Sequence, residues 1–389
     1  MAWNSGPAPK SLLERYRVLS PTASVRVSPI CLGAMNFGGT WKHMGICTKD
    51  TAFEMLDYFF SQGGNFIDTA VNYQDGESEI WLGEWLSKHN VRDQMVIATK
   101  YTTNYQAYLG TEGHIHANFG GNSIKNLHTS VETSLKRLRT NYIDLLYVHW
   151  WDHATTVQEL MLSLNDLVRQ GKVLYLGISD APAWFVAKCN EFARCNGLRQ
   201  FVVYQGQWSA ANRSFERDIL QLCEHDGMSI APWGVLGGGQ FKTEAQVKAT
   251  EAEGRKTQWP SANAKVMSEV LEKVAKRKNT QLTAVALAYV MHKAPYVFPI
   301  CGGRKVEHLK GNIDALALEL SAEDIKEIEG AAPFDLGFPT ALIGQWAGEN
   351  SLMNFRGTFD YVDRAKPIPA SQMTLSRNAG TDFPSPPTR

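Results

Sequence analysis

Nowhere in the chain does an apolar run approach the roughly 18 residues that a membrane-crossing helix requires. The opening MAWNSGPAPK lacks a basic segment followed by an apolar one, so a secretory signal is not expected. No charge of one sign prevails, because 39 Lys and Arg balance 39 Asp and Glu. Without a basic block the composition gives no support for binding nucleic acid or an anionic membrane surface, and neither is expected. Cysteine is sparse as well. The six residues Cys31, Cys47, Cys189, Cys195, Cys223 and Cys301 contain no CxxC pair. Most of them lie in apolar or helical stretches, as expected of buried thiols in a reducing cytoplasm rather than of a disulfide framework. His114 and His116 in GHIHANF have no Cys, Asp or Glu at ligand spacing. They read as part of a solvated loop, and no metal is expected.

What is present fits a globular protein with a sizeable core: 44% of residues are apolar and 20% charged. Short runs rich in β-branched residues alternate with amphipathic stretches. The runs are 30–35, 65–68, 95–100, 143–149, 173–179, 201–205, 228–233 and 296–300. They are apolar with little alternation, as in strands covered on both faces. Helices are predicted over 51–62, 78–89, 126–139, 156–170, 182–195, 214–226, 264–278 and 305–316. The clearest stripe joins Val157, Leu160, Met161, Leu164, Leu167 and Val168, and Gly171 follows as a natural stop.

Repeated strand-then-helix units imply parallel strands with right-handed crossovers, and eight of them closed on themselves make a (β/α)8 TIM barrel. The competing doubly wound sheet should carry GxGxxG after its first strand, and CLGAMNFGG does not fit. YRVLS and VRVS flank PTA and read as a hairpin closing the barrel floor. A single domain is expected over 1–389, with the barrel at about 29–330. A long polar insertion covers 240–263, after the seventh strand. The tail 331–389 shows no convincing helix, and its end, NAGTDFPSPPTR, reads as disordered. Trp346, Met353, Phe355 and Phe359 make its middle too apolar for a free linker, so it should fold over a barrel face and could form a lid.

In such barrels reacting groups sit at the C-terminal strand ends. The second, third and fourth strands end in Asp68, Lys100 and His149, and Tyr73 follows in the loop after the second. Alone, Asp68 reads as a turn cap, Tyr73 as a packed aromatic and His149 as a structural histidine. A lysine closing a buried strand must find a partner, which is harder to explain away. Together they make chemical sense. A tyrosine, with its ordinary pKa of about 10, can give a proton at neutral pH but not readily lose one. A neighbouring ammonium favours the phenolate, Asp68 can hold that ammonium, and His149 can orient a substrate oxygen. The set suits protonation of an oxyanion during hydride delivery to a carbonyl. No serine or cysteine stands at a matching strand end for acyl transfer.

The successive stretches GGNFIDTAVNYQDGESE, MVIATKY, YIDLLYVHWWD, GKVLYLGISD, VVYQGQW, IAPWGVLGGG and PICGGRKVEHLKGNIDAL resemble the motifs of the aldo-keto reductase superfamily. The nearest resemblance is to its fungal branch of aryl-alcohol dehydrogenases and norsolorinic acid reductase-like proteins. It covers about residues 15–335 and implies a (β/α)8 barrel using NADP(H) without metal. It makes Tyr73 the general acid/base, Lys100 and Asp68 its tuning pair, and His149 the group orienting the carbonyl.

The same resemblance assigns Ser179, Asp180 and Gln205 to the nicotinamide carboxamide and Trp233 to the stacking face of its ring. Gly234, Val235, Leu236, Gly237, Gly238, Gly239 and Gln240 would wrap the pyrophosphate. Gly303, Arg304, Lys305, His308 and Asn312 would hold the adenosine 2′-phosphate at a helix start. Asp180 departs from the asparagine of most members, and His308 from their Arg or Gln. Trp150, Trp151 and Tyr101, with Tyr105 and Tyr108, suggest an aromatic wall for a planar or large apolar carbonyl substrate. The activity so implied is reversible reduction of an aromatic aldehyde or ketone in fungal aromatic or secondary metabolism. Two other readings stay open: a cofactor-binding regulatory subunit, and a pathway enzyme of this fold catalysing cyclisation or isomerisation.

Overall fold

Side chains alternate between the two faces of a strand, so in a closed sheet one parity fills the interior and the other meets the helices. The computed structural model describes residues 8–45, 47–243, 246–247 and 261–373, and it shows this division directly. Eight parallel strands follow one another around the sheet: β3 (Cys31–Gly33), β4 (Phe66–Asp68), β5 (Val96–Tyr101), β6 (Ile143–Val148), β7 (Val173–Ser179), β8 (Phe201–Gln207), β9 (Ser229–Trp233) and β10 (Ile300–Gly302). Phe66, Ala98, Tyr147, Val203 and Ala231 form one buried cluster inside the barrel. Ile67, Ile97, Tyr101, Leu146 and Ile178 belong to a second, larger cluster, which packs beneath the helices.

The eighth position is built from a bent segment rather than one strand. Phe298 N–H donates to the Ile230 carbonyl at 2.8 Å, tying this segment to β9. Residues 300–302 then pair with Cys31–Gly33 and complete the ring. The expected strand 296–300 therefore supplies only the first half of this closure. The floor is plugged by the antiparallel hairpin β1 (Arg17–Ser20) and β2 (Ala23–Val27). Its Leu19, Ala23 and Val27 reach into the interior cluster.

The helices start where hydroxyl side chains can satisfy free backbone N–H groups. Thr48, Ser123 and Thr156 cap the helices Lys49–Ser61, Ile124–Arg137 and Val157–Arg169 in this way. The predicted 214–226 helix divides into a 3-10 turn, Ser214–Glu216, and a shorter helix, Ile219–Asp226. Two helices ahead of the tail have no counterpart among the sequence expectations. Leu282–Met291 is buried at every position but Thr283, so it carries no 3.6-residue stripe to read. Ala322–Ala331 opens on a Ser321–Asp324 capping box.

The tail departs from expectation. It contains two single-turn helices, Thr340–Ile343 and Ser351–Asn354. It packs on a barrel face, along the outside of helix Ile219–Asp226, and its described residues form no lid over the cavity. Gln345 reaches the Glu216 carbonyl, Arg364 pairs with Glu224, and Ser371 N–H donates to Leu316 near the floor. Trp346 packs on the core with the Arg364 guanidinium 3.4 Å from its ring centre. Met353, Phe355 and Phe359 stay exposed, and no described tail residue lines the central cavity. The expected disordered end, 378–389, and most of the insertion 240–263 lie outside the described residues. Among the described residues no helix is long and apolar enough to cross a membrane. His116 hydrogen-bonds Asn104 at 3.2 Å and the Gly110 carbonyl at 2.5 Å, beside His114.

Candidate active site

Asp68 and Lys100 share the parity of Phe66 and Ala98, so both side chains turn into the barrel at its C-terminal mouth. Lys100 is wholly buried, and its Nζ donates to Asp68 Oδ1 at 2.5 Å and to the Thr69 carbonyl at 2.7 Å. The second Asp68 oxygen accepts from Gln205 Nε2 at 2.9 Å. Tyr73 opens the 3-10 turn after β4 and folds back over this pair, with Lys100 Nζ 4.9 Å from its ring centre. His149 follows β6 and meets the Tyr73 ring edge-on, with centroids 5.9 Å apart. Four residues from three adjacent strand ends thus converge on one point.

Burial pushes the Tyr73 phenol above its ordinary value, and the opposing pull of Lys100 does not cancel it. Lys100 therefore lowers the tyrosine only relative to burial, not below the usual range as its ammonium alone would suggest. Burial pulls the Lys100 ammonium down, but Asp68 and Tyr73 outweigh it, and the ammonium ends above its ordinary value. His149, desolvated and facing the same cation, is drawn down to about 3 and stays neutral near pH 7. The resting site therefore holds a protonated phenol, a charged ammonium and a neutral imidazole.

These groups open into a cavity of about 1680 Å³. Asp68, Tyr73, His149, Ser179, Asp180, Gln205 and Trp233 line its inner end. The whole segment 234–240 lines its flank, with Gly237, Gly238 and Gly239 all at positive φ. Only glycine takes such a run without strain, and it leaves backbone amides close to whatever fills the groove. Gly303, Arg304, Lys305, His308 and Asn312 line the far end, at the start of helix Val306–Asp314. Arg304 crosses Gly45 so closely that a Cβ there would stand 1.8 Å from its guanidinium.

The residues present fit a dinucleotide. The buried Ser179 hydroxyl beside Asp180 lines the cavity, and Asn36, which lines it too, has its Oδ1 buried without a hydrogen-bond partner. Buried polar atoms are rarely left so unless something supplies the partner. Trp233 Nε1 donates to Asp180 Oδ1 at 3.4 Å. Desolvation pushes Asp180 up to about 6, against the pull of that indole and of Lys100.

The aldo/keto reductase family model matches residues 29–333. The chain belongs to that family. It is 54% identical to norsolorinic acid reductase B of Dothistroma septosporum, over 91% of this chain and 93% of that one. It is 51% identical to an aryl-alcohol dehydrogenase of Pestalotiopsis microspora, over 98% and 100% of the two chains. It is 45% identical to the NADP(+) aryl-alcohol dehydrogenase of Phanerodontia chrysosporium, over 92% and 96%.

In this aldo/keto reductase the five aromatics expected to form a wall are directed elsewhere. Tyr101 has the outward parity of β5 and is buried in the helix-facing cluster. Trp151 stacks on Phe185 with centroids 3.9 Å apart and donates to the Thr155 carbonyl. Trp150 is directed to Thr103 Oγ1, Tyr105 packs edge-on to Phe119, and Tyr108 is exposed. None of these five lines the cavity. Its wall beside Tyr73 is formed instead by Met35, Asn36, Trp41, His43 and Met44, from the loop after β3. The barrel rule could have found them, since that loop also leaves a C-terminal strand end.

Proposed function

We propose that this chain is an NADP(H)-dependent reductase of aromatic aldehydes or ketones, acting reversibly on the corresponding aryl alcohols in fungal aromatic or secondary metabolism. The observation that carries the reading is the Tyr73 phenol, protonated and backed by the buried Lys100–Asp68 pair, at the inner end of a dinucleotide-sized cavity. The bound nicotinamide would supply the hydride. Ser179, Asp180, Gln205 and Trp233 would hold its ring end, and Arg304 and Lys305 the phosphate of its adenosine end. Tyr73 gives its proton to the carbonyl oxygen as negative charge develops there. Lys100 stabilises the phenolate left behind, and Asp68 keeps the ammonium in place. Neutral His149 shares the same oxygen through a hydrogen bond and orients the carbonyl. Relatives named as norsolorinic acid reductase and as NADP(+) aryl-alcohol dehydrogenase support an aromatic substrate and this cofactor.

The test is Tyr73→Phe, assayed against a panel of aryl aldehydes and ketones. The variant should bind NADPH as the parent does and lose roughly 10²- to 10⁴-fold in turnover. An unchanged rate overturns the mechanism. NADPH consumed one-for-one with carbonyl separates a reductase from a cyclase or isomerase, and no consumption with any carbonyl favours a regulatory subunit.

A further inference from the structure

The loop after β3 is fastened to the segment that carries Tyr73. Gln74, next in the chain, is completely buried, although a free loop glutamine would face solvent. Its Oε1 accepts the Trp41 backbone N–H at 2.8 Å, and its Nε2 donates to the Met35 carbonyl at 3.1 Å. Asp75 Oδ1 accepts the Trp41 indole N–H at 3.2 Å. Glu77 Oε2 accepts from Gly39 N–H at 2.8 Å and from Thr40 Oγ1 at 3.0 Å. Even the glycine opposite is required, since a Cβ at Gly38 would stand 2.3 Å from Gln74 Cβ.

This fastening holds a strained turn. Gln74 and Asp75 have φ of 51° and 54°, a left-handed pair of non-glycine residues directly after Tyr73. Such residues are strained and persist where their surroundings over-determine them. What the arrangement produces is a fixed ring. Trp41 meets Tyr73 edge-on with centroids 6.1 Å apart, stacks on His43 at 6.2 Å, and lines the cavity. Trp41 and His149 thus bracket the phenol.

We propose that Trp41 is the aromatic wall that selects planar aryl carbonyl substrates, and that Gln74 is a positioning residue that sets Trp41 against Tyr73. The inference rests on the reductase reading and deepens it by assigning substrate selection to this loop. A rigid indole beside the proton donor offers an aryl ring a stacking or edge contact that an alkyl chain uses less well. Because Gln74 shapes the loop from behind, its loss acts on substrate fit through Trp41 and not on the proton itself.

The test compares a para-substituted benzaldehyde with a straight-chain aldehyde, using the full chain with NADPH. In Trp41→Ala the KM for the aryl aldehyde should rise about tenfold relative to that for the alkyl aldehyde, with the loss in KM rather than kcat. Trp41→Phe should recover most of it. Gln74→Met, similar in size but without the amide, should reproduce the Trp41→Ala pattern while binding NADPH normally. Trp41→Ala decides the wall on its own if Gln74→Met does not fold. Equal KM changes for both aldehydes, or none, overturn the wall, and a parent-like Gln74→Met overturns the positioning role. Calorimetric titration of the NADP(+) complex with the matching aryl alcohol reads the same contact without turnover. If the parent reduces nothing yet binds the alcohol, and Trp41→Ala loses that binding, the reaction fails and the wall stands. Absence of binding to the parent, or undiminished binding in Trp41→Ala, removes the wall.

Discussion

Lys100 Nζ stands 4.9 Å from the centre of the Tyr73 ring, close enough to steady a phenolate but not to create one in the resting chain. Burial holds the phenol above its ordinary value, and His149 is drawn to about 3. Neither group therefore titrates between about pH 5 and 9. The rate constant for carbonyl reduction, which needs protonated Tyr73, should be flat across that window and fall only above about pH 10. Alcohol oxidation needs the phenolate and should climb with pH over the same range. Single-turnover rates in both directions check this, and an inflection near pH 6.5 in reduction would point to a charged His149.

Asp68 and Lys100 stand or fall as a pair, because both are buried. Asp68→Asn leaves an ammonium without its counter-charge and should cost about 3–5 kcal/mol of stability. Lys100→Met removes the cation but strands the Asp68 carboxylate, which keeps its bond from Gln205. The double variant Asp68→Asn/Lys100→Met leaves no charge at either position of the pair, and its midpoint in urea should lie above that of Asp68→Asn. All three should lose most reductase turnover. A double variant less stable than Asp68→Asn would mean that the pair contributes more than mutual compensation.

Asp180 introduces a pH dependence that asparagine would not. Desolvation brings it to about 6, so it ionises inside the physiological range. Its carboxylate lies where the nicotinamide end is proposed to sit, and negative charge there favours the cationic oxidised ring over the neutral reduced one. Affinity for NADP(+) relative to NADPH should therefore rise as pH climbs through about 6. Asp180→Asn should flatten that ratio. Fluorescence titrations with each cofactor form between pH 5 and 8 provide the measurement.

The barrel and the converging tetrad could be read from sequence because both depend on order along the chain. Strand ends follow one another around a barrel, so Asp68, Lys100 and His149 are neighbours by rule. The misread residues depend on direction instead. Tyr101 adjoins Lys100 in sequence, yet the two-residue period turns it to the helices. Trp150 and Trp151 follow His149 but leave the strand, and Phe185 and Thr103 claim them. Trp41 was hidden for the opposite reason. Its place is fixed by the Gln74 amide, and no periodicity records a contact between two loops. The tail shows the same limit, since its apolar residues signalled packing without saying which face receives it. In the structure that face is the outside of helix Ile219–Asp226, held through Glu224 and Glu216.

Arg304 and Lys305 carry the cofactor preference if they meet the adenosine 2′-phosphate. Arg304 runs across Gly45 at the far end of the cavity, and the first turn of helix Val306–Asp314 begins just beyond it. A guanidinium can pair with a phosphate through two parallel N–H donors, and free N–H groups at a helix start add to the attraction. Arg304→Ala should therefore raise the KM for NADPH by roughly tenfold or more while changing that for NADH little, at nearly constant kcat. Arg304→Lys should recover only part of the loss, since an ammonium lacks the planar fork. Gly45→Ala provides a geometric control. Its Cβ would collide with the guanidinium, so it should displace Arg304 and weaken NADPH in the same direction without removing any charge. Parallel NADPH and NADH kinetics on the three variants decide the assignment. An equal loss for both cofactors would place these residues in general dinucleotide binding instead of phosphate selection.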